Sequence, residues 1–205
     1  MRHQISHLEY HYIVCGYGRK GHQVCESLQS HDIPFVVVER DDLMLNSDPS
    51  FPAIHGDATE EAVLEQARIS HAKGLIAILS KDAENTYLVL SARQLASHLT
   101  ILAWASSESI ENKLYQACAT RVFSPFLLGS MRIIQSILNP NVVDFLDFAF
   151  NVEDEHLQLE QIQLPEKSVI EGMALLDLRE KEDFKMTVLG IQRAGHMEFS
   201  PHFSQ

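Results

Sequence analysis

The short apolar run Tyr12-Ile13-Val14-Cys15 stops at Gly16, and Gly18 and Gly21 come after it in G-x-G-x-x-G spacing, with Tyr17, Arg19 and Lys20 between them. The stretch predicts a strand, a tight turn and the start of a helix. Gly16 permits the turn, Gly18 lets the backbone approach a pyrophosphate, and Gly21 lets the helix lie close to the strand. The helix would point its free N–H groups and the positive end of its dipole over the turn, which favours a phosphate. The same spacing occurs in plain strand-to-helix connections, so its meaning depends on the pattern of the chain beyond it.

Beyond Gly21 that pattern is a regular alternation. Val24, Cys25 and Leu28 fit a helix running to about His31, and Asp32-Ile33-Pro34 stops it. Phe35-Val36-Val37-Val38-Glu39 is a continuous β-branched run, as expected of a strand covered on both faces of a parallel sheet. Phe51 to His55 is a weaker strand; Gly56-Asp57-Ala58-Thr59 leads from it into a helix marked by Ala62, Leu64 and Ala67, with Thr59 or Asp57 as its cap. Leu75 to Leu79 is the clearest strand. Ser80 to Asn85 leaves it for the helix of Leu88, Val89, Ala92 and Leu95. A strand over Thr100–Ala105, a helix over Ile110–Ala117 and a strand over Arg121–Ser124 complete the series before Pro125. This order predicts an α/β, Rossmann-like, doubly wound six-stranded parallel sheet. Ligands of such sheets lie at the carboxyl ends of the strands, which here carry Gly16, Glu39, Asp57 and Ser80.

Glu39 closes the second strand about 20 residues beyond the glycines, where dinucleotide-binding folds place the carboxylate that accepts the adenosine ribose hydroxyls. The alternative is that it only begins a polar loop. Arg40 next to it could receive a 2′-phosphate, but Glu39 would repel one. The pair therefore favours NAD(H) or another adenine nucleotide over NADP(H).

Composition narrows the function classes. A formal net charge of −12 over 205 residues argues against nucleic acid and against an anionic membrane surface as partners. No window approaches the ~20 apolar residues of a bilayer span, and the first residues lack a secretion signal, so a soluble, cytoplasmic chain is expected. Cys15, Cys25 and Cys118 are odd in number and without C-x-x-C spacing, reading as reduced, mostly buried residues and no zinc site. His3, His7 and His11 recur four apart and would share a helix face. With no carboxylate or cysteine joining them they read as part of a frayed linker over residues 1–10.

After Pro125 the pattern changes. Phe126 to Leu138 is an amphipathic helix, and Asn141 to Phe150 is apolar nearly all round. Such a helix must be covered, either by another subunit or by the next segment of the chain. From Asn151 the chain turns acidic. Imperfect alternation over His156–Leu164, a strand over Thr187–Ile191 and a turn at Ala194-Gly195 suggest a small β-rich subdomain over 151–205, with too few strands to close by itself.

These residues together resemble an RCK domain, also called KTN or TrkA-N, the cytoplasmic nucleotide-sensing module of potassium channels and transporters. The resemblance covers about residues 10–150 and rests on Cys15-Gly16-Tyr17-Gly18-Arg19-x-Gly21, Glu39, Gly56-Asp57-Ala58-Thr59, Asp82 with Asn85, and Ser124-Pro125. More weakly, Ile170-x-Gly172 and Phe199-Ser200-Pro201 resemble the start of the family's C-terminal (TrkA-C) subdomain, whose closing strands with a Gly-Asp pair are not found here. It implies a domain over 11–125, crossover and dimerisation helices over 126–150 that pair two protomers, and a partial subdomain over 151–205. It also implies phosphates over Gly16–Gly21 with Arg19 as counter-charge, Asp57 and Ala58 at the adenine, and Ser80, Asp82 and Asn85 at the far end of the cleft. Lys20 departs from the family's usual apolar residue before the last glycine and makes the loop more cationic. Trp104-Ala105-Ser106-Ser107 stands where some calcium-gated relatives carry carboxylates, and Phe126 where some ATP-responding relatives carry a glutamate.

The resemblance thus implies a regulatory module, not an enzyme, that binds NAD(H), or alternatively ADP, ATP or AMP. Homodimers, assembling into an octameric gating ring, would bias an attached or associated potassium pore at the membrane. The alternatives are a small NAD-dependent dehydrogenase, for which no acid–base pair is evident among His55, His71 and His98, and a stand-alone Trk/Ktr-type regulatory subunit.

Overall fold

The structure, a computed structural model, describes residues 5–42, 51–150, 161–165, 168, 170–173, 188–193 and 196–199. It falls into two compact units, Met1–Asp144 and Phe145–Gln205.

The first unit is built on six parallel strands, β1 (Tyr12–Cys15), β2 (Phe35–Glu39), β3 (Ala53–His55), β4 (Gly74–Ala77), β5 (Thr100–Trp104) and β6 (Arg121–Phe123), in the order β3-β2-β1-β4-β5-β6. The chain starts in the middle of the sheet, moves outward to β3, then crosses back over β1 to build the other half. Between β1 and β4 the order reverses, leaving a crevice at their carboxyl ends. Register is continuous there: Cys15 lies opposite Val38 on one side and Ala77 on the other.

Side chains alternate across the pleat and bury both faces. Ile13, Cys15, Val36, Val38, Leu75, Ala77, Ile101 and Ala103 join one core, and Val14, Phe35, Val37 and Ile76 the other. Helix α1 (Arg19–Ser30) supplies Val24, Cys25 and Leu28 to the second core. Helices α2 (Glu61–Gln66), α3 (Asp82–Leu95) and α4 (Glu108–Gln116) supply Val63, Leu64, Leu88, Val89, Ala92 and Leu114 to the first. Each fully buried Ile or Leu of these layers contributes about 1.5–3 kcal/mol through lost contact with water. The β-branched run of β2 therefore forms a strand because both of its faces are covered.

Some local expectations are corrected. Helix α2 begins at Glu61, and neither Asp57 nor Thr59 caps it: its N-cap is Glu60, without a side-chain bond. Asp57 instead accepts the Thr59 backbone N–H at 2.9 Å and its hydroxyl at 2.7 Å, closing the turn ahead of the helix. A single 3-10 turn, Ile69–His71, stands between α2 and β4. Cys15 and Cys25 are buried, and Cys118 is exposed. His7 is exposed and His11 fully buried, while His3 lies outside the described residues.

After β6, Pro125 opens helix α5 (Pro125–Leu138), whose fixed φ and missing N–H suit the first helical turn. Helix α6 (Pro140–Phe150) comes next. None of the α5 side chains is buried; Phe126, Met131, Ile133, Ile134, Ile137 and Leu138 are all exposed. On α6, Val142 and Phe145 are exposed and Val143 is buried.

In the second unit a two-stranded antiparallel hairpin pairs β7 (Gly190–Arg193) with β8 (His196–Phe199), Gly190 opposite Phe199. Gly172, at φ +78°, ends a turn closed by the Met173 N–H donating to the Ile170 carbonyl at 3.2 Å. Residues 161–165 are not in a strand. Residues 156–160, Thr187, the Ala194-Gly195 turn and Pro201 lie outside the described residues.

Candidate functional site

At the carboxyl ends of β1, β2, β3 and β4 lies an open hollow of about 610 Å³. Gly16, Glu39, Asp57 and Ser80, each taken from a different strand end, all line it. Its floor is the glycine turn. Gly16 adopts φ +107°, and a Cβ there would stand 3.0 Å from the Ile78 carbonyl oxygen, so both backbone and space demand glycine. A Cβ on Gly21 would come within 2.1 Å of the Gly16 carbonyl oxygen, which is how α1 lies so close to the turn that feeds it. Around Gly18 nothing lies within 4 Å of where a Cβ would be. That open side faces the hollow, and Gly18 is the N-cap of α1 with no side-chain cap, leaving the helix's first N–H groups available to an anion.

Glu39 forms the next wall. One carboxylate oxygen accepts the Tyr17 backbone N–H at 2.6 Å; the other accepts those of Arg40 at 2.8 Å and Asp41 at 3.0 Å. These bonds orient the carboxylate toward the hollow while tying the end of β2 to the glycine turn. The side chain of Tyr17 turns away into the second core, edge-on to Phe51 at 6.0 Å between ring centres.

Asp57 and Ala58 border the β3 side. The hydroxyl and N–H of Thr59 hold the Asp57 carboxyl below its usual range, with the charges of Arg40 and Lys81 adding to the effect. Across the mouth, Glu84 of α3 meets Lys81 at 2.8 Å and Arg40 at 3.5 Å. The Lys81 hydrogen bond, aided by both cations, keeps Glu84 ionised below the ordinary glutamate range. Arg19 and Lys20, at the start of α1, line the opposite side, and the Lys20 ammonium lies 4.5 Å over the Trp104 ring.

Two residues expected at the far end of the cleft do not line this hollow. Asn85 is buried and serves as a clamp: its Oδ1 accepts the Leu79 N–H at 2.9 Å, and its Nδ2 donates to the carbonyls of Leu79 at 3.2 Å and Trp104 at 3.4 Å. It thereby joins the ends of β4 and β5. Asp82 reaches across to Ser106, accepting its N–H at 3.2 Å and its hydroxyl. Gly16, Gly18, Arg19, Lys20, Gly21, Glu39, Arg40, Asp57, Ala58 and Ser80 do line the hollow; Tyr17, also expected there, does not, its ring lying in the second core and its N–H bonded to Glu39. Glu84, Gln23 and Asp41 are lining residues that the sequence pattern did not single out. Glu84 sits in the first turn of the helix leaving β4, a short way beyond the Ser80 strand end, and that proximity is the signal that could have found it.

The fold is a doubly wound, Rossmann-like α/β sheet with an open hollow where its strand order reverses. Residues 12–125 match the TrkA-N domain, and the chain belongs to that family, the family of RCK domains. Among known proteins it is similar to potassium channel protein 1 of Methanocaldococcus jannaschii, at 34% identity over 98% of this chain and 61% of the relative. It also resembles the Ktr system potassium uptake protein C of Bacillus subtilis, at 25% identity over 93% of this chain and 84% of the relative. The chain thus spans about three fifths of the length of the channel relative. Among solved structures, GsuK bound to ADP superposes with a TM-score of 0.55 at 30% identity, covering 68% of this chain and 37% of that one. The GsuK channel bound to NAD has the same fold at a TM-score of 0.57 and 24% identity, covering 97% of this chain and 34% of that one. No helix among the described residues is long and apolar enough to cross a membrane.

Proposed function

We propose that this chain is a nucleotide-sensing regulatory domain that controls potassium flux through an attached or associated membrane pore. The ligand is an adenine nucleotide, NAD(H) or one of ADP, ATP and AMP, with its phosphates over Gly18 and the start of α1, its ribose on Glu39 and its adenine beside Asp57 and Ala58. The observation that carries the reading is the juxtaposition, in one hollow, of an uncapped helix N-terminus, a glycine with open space and a carboxylate fixed by three backbone N–H groups. Glu39 favours free ribose hydroxyls over a 2′-phosphate, as it would repel the added charge.

Binding, not turnover, is the function these residues support. Glu39 is held by N–H groups, Asp57 by Thr59 and Glu84 by two cations, which suits fixed recognition of a ligand. The exposed apolar faces of α5 and α6 are the surfaces through which two protomers pair, and pairs assemble on the cytoplasmic side of the pore as an octameric ring. Occupancy shifts the angle between the paired protomers. Such coupling requires only that the ligand bind the two arrangements with different affinity.

Melting the protein with NAD+, NADH, ADP, ATP and AMP in turn tests the site, because a ligand selective for the folded state must raise the melting temperature. At least one is expected to do so, without NADH being consumed when hydroxy acids are supplied. If none does, the hollow is not a nucleotide site; steady NADH oxidation would make the protein a dehydrogenase.

A further inference from the structure

Among the described residues, every one that lines the hollow belongs to the glycine turn, to α1, to the ends of β2, β3 and β4, or to the start of α3; none comes from β5 or β6. A mononucleotide with its phosphates needs only that half of the sheet edge. A dinucleotide must continue past Ser80 toward the end of β5, since its second nucleoside crosses the point where strand order reverses. On that route stands Lys20, lining the hollow, with its ammonium 4.5 Å over the ring of Trp104, the last residue of β5. A cation on an indole face is held by the ring's quadrupole, so the lysine has a defined seat there. Asp82 is the nearest acid influencing it, but Asp82 lies outside the lining and both its oxygens bond to Ser106. The Asp82 charge acts on the lysine, but the groups that border the hollow here are the Lys20 ammonium and the Arg19 guanidinium.

We infer that Lys20 is a charge-selective residue at the distal end of the hollow, favouring ligands that end in an anionic phosphate over those that carry the nicotinamide cation. This rests on the nucleotide reading above and sorts the ligands within it. ADP and ATP bring negative charge to the ammonium, whereas NAD+ brings a positive ring to the same place. NADH, which has lost that ring charge, falls between them. Burial lowers the lysine's proton affinity somewhat, against the pull of Asp82. It remains a cation beside the open hollow.

The test is calorimetric titration of the intact chain, wild type, Lys20→Met and Lys20→Arg, with ADP, NAD+ and NADH at low salt. In the wild type, ADP is expected to bind about tenfold more tightly than NAD+, with NADH tighter than NAD+. Lys20→Met should weaken ADP, strengthen NAD+ and bring NADH and NAD+ together, while Lys20→Arg keeps the wild-type order. Added salt should erode the ADP preference in the wild type and leave Lys20→Met nearly unmoved. A wild type that binds NAD+ as tightly as ADP, or an unchanged ADP-to-NAD+ ratio in folded Lys20→Met, overturns the role of Lys20 while leaving the nucleotide site standing. Absence of binding by all three ligands to the wild type removes the site itself and this inference with it.

Discussion

The carboxylate of Glu39 accepts the backbone N–H of Tyr17 across 2.6 Å, linking the end of the second strand to the middle of the glycine turn. With the Arg40 and Asp41 N–H groups on its other oxygen, the side chain both completes the local backbone and faces the hollow. Glu39→Gln keeps the size but replaces one acceptor oxygen with a donor that must face an N–H. It is expected to cost about 1–2 kcal/mol of stability and about tenfold or more in nucleotide affinity. Urea unfolding and titration with ADP measure the two effects separately; full affinity in the variant would remove Glu39 from the site.

The glycines of the turn should separate folding from binding. At Gly18, where no atom lies within 4 Å of an added Cβ and φ is −69°, Gly18→Asp is expected to fold with a melting temperature near that of the wild type. Its carboxylate would occupy the phosphate position, and binding should fall about a hundredfold or more. Gly21→Ala drives a methyl group to 2.1 Å from the Gly16 carbonyl oxygen and should lose about 2–4 kcal/mol of stability as α1 is pushed away. Wild-type affinity in Gly18→Asp would contradict the placement of the phosphates.

Asn85 should behave as a structural residue. Asn85→Ala leaves the Leu79 N–H and carbonyl and the Trp104 carbonyl without their side-chain partner in a buried place. A loss of about 2–4 kcal/mol is expected. Asn85→Asp would set a carboxylate against two carbonyls and should also destabilise. In protein that still folds, nucleotide affinity should change less than in Glu39→Gln; the reverse ranking would return Asn85 to the ligand.

The buried His11 gives stability a pH dependence. Its Nε2 donates to the Ala67 carbonyl at 2.9 Å. Burial holds its pKa below the usual 6.5; the bond to Ala67 opposes the shift, and Arg68 and His71 add to it. The unfolded chain takes up a proton near the ordinary histidine value while the folded chain resists it. The contribution of neutral His11 is thus complete above that value and declines as pH falls below it, by at most about 1.4 kcal/mol per unit. Urea denaturation between pH 7.5 and 5 should show this decline. His11→Gln should be less stable at pH 7.5 and show a flatter profile between pH 6.5 and 5.

Pairing through α5 predicts a change of mass. Ile134 is half exposed on a helix with no buried side chain, so Ile134→Asp should leave the first unit folded. In an interface, by contrast, the carboxylate would be stranded. Light scattering should report a monomer where the wild type forms a dimer or larger assembly, with ADP affinity within about twofold of wild type. An unchanged mass would move the interface elsewhere.

The parts of the fold that could be read from the chain alone were those fixed by short-range rules. The β-branched run of β2 has one stable use, a strand covered on both faces, and the closest constraint on Gly21 is the Gly16 carbonyl just before it in the chain, although Gly16 is also held by Ile78 at the end of β4. The strand-end rule also found four of the positions around the hollow, because parallel strands must deliver their ends to the same edge. What it could not supply was side-chain direction. Asp82 and Asn85, at the start of a helix, look the same in sequence whether they face the hollow or fasten β4 to β5, and only the packing of Trp104 and Ser106 decides. Likewise, the bond of Glu84 to Arg40 joins residues 44 positions apart, and no local pattern signals it.

Helix α1 begins without a side chain of its own to close it. A solute anion that completes this end becomes a structural component supplied from outside, and each tenfold rise in its free concentration above the dissociation constant deepens the native well by about 1.4 kcal/mol. The heat tolerance of the domain would then serve as a gauge of how much of that solute surrounds it.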